Sequence, residues 1–309
     1  MTPALVLLLA LALAAEPRAA MELAKRAYAA SQDGRWDEAA AALREAARLA
    51  PANPRYRMAL GGVLEKQGLP EEAVAEFAAA LRLDNNNTQL RERLETLSLD
   101  TGAQLARAGR FRTGLKLAQE HAALFPASPA GAQMLGLFLL RNHQNLAAVE
   151  AYQRALTLDP ALADASVGLG IAQSEAGLTV EAARTFEAGL RRFPQDATHR
   201  QAYGILLGKL AETGDADAAR RAAPMLLSAL ALNDQLAESH YQLGMLALAH
   251  GDAPAALARF ERAAQSGLDD ARLHYGAARA LRRLGRLEEA EARMASFRQR
   301  KSAEEAAAR

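Results

Sequence analysis

The side chains best equipped for chemistry in this 309-residue sequence are six histidines, at positions 121, 143, 199, 240, 250 and 274, and two carboxylate pairs, Glu71-Glu72 and Glu288-Glu289. Imidazole would serve as metal ligand or general base, and converging carboxylates as acid and base. No histidine has another three or four residues away, so a single helix cannot present two of them to a zinc ion. A site assembled from distant helices stays open. The carboxylate pairs follow Gly68-Leu69-Pro70 and Gly285-Arg286-Leu287, where helices are expected to begin, and there they complement the helix dipole. No Gly-x-Ser-x-Gly elbow is present, and the glycines lack the preceding strand and the Lys-Ser/Thr pair of a phosphate loop. Asn86-Asn87-Thr88 matches a glycosylation sequon, a single match in a turn and close to chance. The chain has no cysteine, which removes a catalytic thiol, a disulfide and a lipidated cysteine together. The expectation is a protein that is not an enzyme and takes no metal and no cofactor.

The elements carrying these residues are helices. Half of the sequence is hydrophobic while aromatics make up only 5%, and the excess is alanine and leucine, both strong helix formers. No long β-branched run or alternating strand pattern occurs. One ruler orders the helix punctuation: Pro126, Pro160 and Pro194 are 34 residues apart, as are Gly34 and Gly68, and Gly251 and Gly285. Gly109 to Gly177 is two periods, while Gly68 to Gly109 and Gly177 to Gly251 are whole periods plus seven and plus six. A period of this length marks helix pairs that each leave an apolar face for the neighbour to cover. A single compact core would split at this length, and an array escapes that limit.

The residues around the ruler carry a family pattern. It reads Leu60-Gly61, Leu64, Gly68, Ala73, Phe77, Ala80 in one stretch and Leu169-Gly170, Gln173, Gly177, Ala182, Phe186, Gly189, Pro194 in another. Further copies are Leu135-Gly136, Leu139, Ala148, Tyr152, Ala155, Pro160 and Leu243-Gly244, Gly251, Ala256, Phe260, Ala263. This resembles the tetratricopeptide repeat. The resemblance implies an all-α, right-handed α-solenoid of about eight helix-turn-helix units, placed at residues 20–53, 54–87, 95–128, 129–162, 163–196, 197–236, 237–270 and 271–304. Small residues such as Gly61, Ala73, Gly170 and Ala182 would let paired helices approach, and Phe77, Tyr152, Phe186 and Phe260 would fill the space between them.

Departures from the pattern have expected consequences. The seven residues added after Asn85-Asn86-Asn87 should lengthen the next helix by about two turns, which preserves its facing. That third unit is otherwise poor, with Thr101, Gly114, Ala118 and His121 at slots of bulk or alanine, so it reads as a joint between residues 20–87 and 129–304. Residues 15–94 and 95–304 then form two stretches of repeats, ahead of a polar tail at 305–309. The sixth unit is expected to turn at Gly214-Asp215 and to carry Pro224 inside its second helix. The last helix becomes polar all round beyond Phe297 and should fray.

Residues 1–14 read as a signal peptide, with a short apolar run and Ala12-Leu13-Ala14 as a cleavage site, although the amino-terminal region has no Lys or Arg. The run of about twelve residues is short of the roughly 20 that span a membrane. The expectation is export, to a bacterial periplasm, with an uncleaved membrane anchor as the alternative. Lys plus Arg (37) nearly balances Asp plus Glu (36), which argues against nucleic acid as partner.

In the family, first helices line a concave groove that takes a peptide or helix. The resemblance therefore places Leu137, Leu140, Arg141, Val167, Ile171, Ile205, Lys209, Tyr241, Met245 and Leu248 in a largely apolar groove, flanked by Glu175 and Gln201. Arg272, Arg279, Arg282 and Arg283 form a basic patch open to an acidic segment or polymer. Superhelical curvature or the terminal helix could instead bury the groove. The implied function is a non-catalytic interaction scaffold for a protein or peptide partner. The alternatives are a scaffold subunit of a cell-envelope polysaccharide or pilus assembly machine, and a cytoplasmic or membrane-tethered adaptor.

Overall fold

The computed structural model describes residues 17–307; the expected signal segment, 1–14, lies outside them. Sixteen α-helices and no strand occur among the described residues, and none of these helices is long and apolar enough to cross a membrane. The chain divides into two compact units, one ending at Asn142 and the other beginning at His143. The first holds α1 (Arg18–Gln32), α2 (Trp36–Leu49), α3 (Pro54–Lys66), α4 (Pro70–Leu83), α5 (Thr88–Arg107), α6 (Phe111–Leu124) and α7 (Pro129–Arg141). The second holds α8 (Asn145–Leu158), α9 (Ala163–Glu175), α10 (Thr179–Arg192), α11 (Ala197–Glu212), α12 (Ala216–Leu232), α13 (Ala237–Ala249), α14 (Ala253–Gln265), α15 (Ala271–Arg283) and α16 (Leu287–Ala307). Within each unit every helix packs on its chain neighbours, and in the second unit the alternate helices α9, α11, α13 and α15 also touch in a row. This is the all-α solenoid arrangement.

Local chemistry sets the helix ends. Gly34, Gly68, Gly109, Gly177, Gly251 and Gly285 have φ between 68° and 83°, the left-handed conformation that closes a helix at least cost. After α3, for example, the Gly68 N–H donates to the Glu65 carbonyl at 3.1 Å and the Leu69 N–H to that of Leu64 at 3.0 Å. Where the ruler passes between Gly109 and Gly177 it falls on His143, whose φ of 60° makes it the only non-glycine with positive φ among the described residues. Asn53, Asn87 and Ser128 accept from the first turns of α3, α5 and α7, as Asp196, Asp215, Asp252 and Asp270 do for α11, α12, α14 and α15.

The pairs close through glycine. A Cβ on Gly61, Gly170 or Gly244 would fall 2.7, 2.5 or 2.6 Å from the ring of Phe77, Phe186 or Phe260, and each ring is at most 2% exposed. In the third pair Ala118 stands at the slot of Phe77, and Phe138 from α7 fills the space over Gly114.

The inserted residues go where helix periodicity puts them. Helix α5 has 20 residues against 13 in α3 and α7. The six extra residues of the sixth pair divide evenly: α11 has 16 and α12 has 17, against 13 in α9 and 14 in α10. Pro224 lies within α12. The last helix, α16, runs to Ala307 among the described residues. Its outer turns return to α15: Glu304 accepts from the Ala271 N–H at 3.0 Å, Arg300 pairs with Asp269, and the Phe297 ring lies 5.4 Å from that of Tyr275. Polar residues there satisfy the positive end of the neighbouring helix.

Candidate functional site

Helices α9 and α11 spend their small residues on close packing. Gly170 faces Phe186 and Gly204 faces Leu226, and the next residue on each helix, Ile171 and Ile205, is half-buried. Between them opens a cavity of about 170 Å³, lined by Val167, Ile171, Ile205 and Leu206, with Phe186 of α10 below. At one end Lys209 Nζ lies 2.7 Å from Glu175 Oε1, both about half exposed, a pair that contributes little stability in water. Gln201 frames the same cavity and its Oε1 accepts from Ser239 Oγ at 2.9 Å. The volume is below the roughly 300–1,000 Å³ of small-molecule sites. It fits one large apolar side chain of a partner better than a cofactor.

Four of the expected groove residues, Val167, Ile171, Ile205 and Lys209, therefore meet around one cavity, together with the flanking Glu175 and Gln201. Leu137, Leu140 and Arg141 lie on α7 in the first unit; the leucines are half-buried and the Arg141 guanidinium sits 5.7 Å above the Phe111 ring. On α13, Tyr241 is 8% exposed beneath the Arg272 guanidinium, 5.0 Å from its ring centre, and Met245 is half-buried against the core formed with α14 and α15. Burial raises the Tyr241 phenol above its usual value. Leu248 is a correction: at 1% exposure it lies within the core beside Phe260 and Leu281 and offers no surface to a partner. Phe186, Ser174 and Thr198 also line the cavity and escaped the sequence reading. Phe186 reads as core from its slot, and the spacing of Ser174, three residues after Ile171 on the same face, was the available signal.

The four arginines expected as a basic patch have different surroundings. Arg272 pairs with Asp270 at 2.7 Å and with Glu238 at 3.2 Å. Arg283 donates to the Leu248 carbonyl, Arg279 rests 5.8 Å above the Tyr275 ring, and Arg282 is exposed.

Four histidines are buried. His121 Nδ1 lies 2.6 Å from Ser98 Oγ and His199 Nδ1 lies 2.7 Å from Asp196 Oδ2. The Nε2 atoms of both are buried without a partner. Ser98 Oγ also donates to the Glu95 carbonyl, so His121 carries its proton on Nδ1, and burial pushes its pKa down. His240 and His274, one period apart, each direct Nε2 to an aspartate, the Asp234 carbonyl at 3.1 Å and Asp269 Oδ1 at 2.9 Å. Each receives an arginine at Nδ1, Arg259 or Arg293, at 3.4 Å. Burial, first, and the arginines Arg259 and Arg262 lower the His240 pKa. Across α10 to α12, Tyr203 donates to Glu187 at 2.6 Å and accepts from Arg221 at 2.6 Å, and burial together with Glu187 pushes the phenol up to about 12. These are structural bonds between helices, and no group of three or more His, Asp or Glu side chains is placed to hold a metal among the described residues.

Family models described as tetratricopeptide repeat match residues 24–88, 139–206 and 241–304, well over half of the chain. A search of curated protein sequences gave no match. Among solved structures, a tetratricopeptide repeat protein from Parabacteroides merdae is similar over 86% of this chain and all of its own, at 18% identity and a TM-score of 0.52. The type IV pilus biogenesis factor PilW is similar over 67% of this chain and 93% of its own, at 15% identity and a TM-score of 0.55. A thermophilic protein of the same repeat class from Thermus thermophilus covers 56% of this chain and 91% of its own, at 22% identity and a TM-score of 0.50.

Proposed function

The chain belongs to the tetratricopeptide repeat family, and on that premise we propose that it is a non-catalytic scaffold that holds a segment of a partner protein along its first helices. The observation that carries the reading is the apolar cavity between α9 and α11, framed by Gln201, Glu175 and Lys209. Repeat solenoids use such extended surfaces for binding. A helix or extended segment with one large apolar side chain matches the cavity in size and polarity. Ile205→Glu is the test. Ile205 is half-buried, so the variant should melt close to the wild type while partner retention falls at least about tenfold, the cost of placing a charge in an apolar site. Retention unchanged in a folded Ile205→Glu protein would overturn the reading. Met245→Glu, one first helix further along, asks whether the segment continues over α13.

Export is part of the proposal and rests on the residues of the amino-terminal segment. A mature protein starting at Ala15 supports a periplasmic site of action, and one retaining Met1 contradicts it. Within that setting a role in pilus or polysaccharide assembly is a second reading, supported by a fold shared with PilW. Loss of surface pili or polymer on deletion of the gene would favour it, and an unaltered surface would remove it.

A further inference from the structure

We propose that Arg279, held on the ring of Tyr275, is a receptor for a carboxylate of the partner segment; the proposal rests on the groove reading above and adds a polar anchor to it. The same device, an arginine laid on a tyrosine, occurs twice on α13 and α15. In the first, the Arg272 guanidinium lies 5.0 Å from the Tyr241 ring centre, and its N–H groups are taken by Asp270 Oδ2 at 2.7 Å and Glu238 Oε2 at 3.2 Å. The chain itself supplies the carboxylates. In the second, the Arg279 guanidinium lies 5.8 Å from the Tyr275 ring centre, and no carboxylate pairs with it among the described residues. The edges of its guanidinium are open to a carboxylate from outside the chain.

The placement fits the groove. Tyr275 and Arg279 stand one 34-residue period after Tyr241 and Met245, so on α15 they repeat the register positions of the expected groove residues of α13. Tyr275 is 45% exposed, and its ring is flanked by Phe297 of α16 at 5.4 Å, which fixes the platform. A guanidinium resting on an aromatic face keeps its edges free, and its planar fork matches a carboxylate with two parallel hydrogen bonds. Stacking also removes part of the rotamer freedom that a free arginine would lose on binding. The neighbours lack this combination: Arg283 is spent on the Leu248 carbonyl, and Arg282 is exposed with no ring beneath it.

The carboxylate could be an Asp or Glu side chain or the partner's C-terminus, and three short probes separate the two. They are acetyl-Ala-Glu-Ala-amide, acetyl-Ala-Leu-Ala with a free C-terminal carboxylate, and acetyl-Ala-Leu-Ala-amide. Each is titrated into the full chain while the arginine Nε–H resonances are followed, assigned through Arg279→Lys and Arg282→Lys. The expected result is a saturable shift at Arg279 with one carboxylate probe and none with the neutral amide. Arg279→Gln and Tyr275→Ala should weaken that probe roughly 10- to 100-fold, and Arg282→Gln should leave it unchanged. Melting curves establish that the variants fold. No shift with either carboxylate, an equal shift at Arg282, or full affinity in folded Arg279→Gln would overturn the proposal. The two readings fail separately: partner binding lost in Ile205→Glu but retained in Arg279→Gln would sustain the groove and remove the carboxylate receptor.

Discussion

The helix contact between α6 and α7 and the contact between α10 and α11 are the same joint two periods apart, built with its parts exchanged. In the first, His121 of α6 is 2% exposed and fits against Gly131 of α7. In the second, Gly189 of α10 receives His199 of α11, which is 0% exposed. Between them the ruler places Ala155 and Ala165, both fully buried. Large-small, small-small and small-large thus occupy one pair of slots. The third pair repeats the lesson with Phe138, which reaches in from α7 over Gly114 where Ala118 replaces the usual aromatic. What the array preserves at a slot pair is filled volume, shared out between two helices, because interiors tolerate neither voids nor overlap.

The largest expected effect breaks that sharing. Phe138→Ala should cost about 3–5 kcal/mol through the cavity it leaves, measured by chemical denaturation. Ala118→Phe added to it should recover part of the loss, since the ring then comes from the slot that Phe77 and Phe186 use. No recovery would show that slot and volume are not interchangeable. Next is a double-mutant cycle at the exchanged joint. Gly131→Ala alone overlaps the His121 ring and should cost about 1–3 kcal/mol, and His121→Ala alone leaves a void. The pair together reproduces the Ala155–Ala165 solution, so the two losses should couple favourably by roughly 0.5–3 kcal/mol. Strict additivity would mean that the ring and the glycine are independent.

The comparison is sharpened by pH. His121 and His240 have pKa values lowered by burial, so the unfolded chain binds more protons than the folded one below the ordinary histidine value of about 6.5. Stability is therefore complete above that value and falls as pH drops below it, ahead of the carboxylate range. His121→Gln should flatten the slope between about pH 7 and 5, and a slope unchanged in that variant and in His240→Gln would contradict the assignment. The smallest effect is at His143, in the left-handed position the other turns give to glycine. His143→Gly should be stabilising by up to about 1 kcal/mol, offset in part by the freedom glycine adds to the unfolded chain.

The fold was legible because punctuation and packing share one period. The glycines mark turns that demand positive φ, and the seven residues of α5 and the six of α11 and α12 lengthen those helices without changing the helix order. The site was legible to the extent that it follows register. Ile171, Ile205, Glu175 and Lys209 lie one period apart on neighbouring first helices, so pattern alone brings them to one cavity. Leu248 failed because it stands at the end of α13, where the next helix turns in over it and Arg283 takes its carbonyl. Sequence proximity does not reveal that, of the arginines in the last pair, Arg272 is already matched by Glu238 and Asp270. The exchanged histidine-glycine joints were hidden for a related reason: each looks like a degenerate slot until its partner one helix away is known.

The most direct test of the central claim is site-specific photo-crosslinking in cells, with the reactive residue at Ile205 and, as control, at Leu227, which is 44% exposed on α12 away from the cavity. The groove account predicts one defined protein captured from Ile205 and absent from Leu227. Equal capture from both positions, or none from Ile205 in a folded protein, would contradict it.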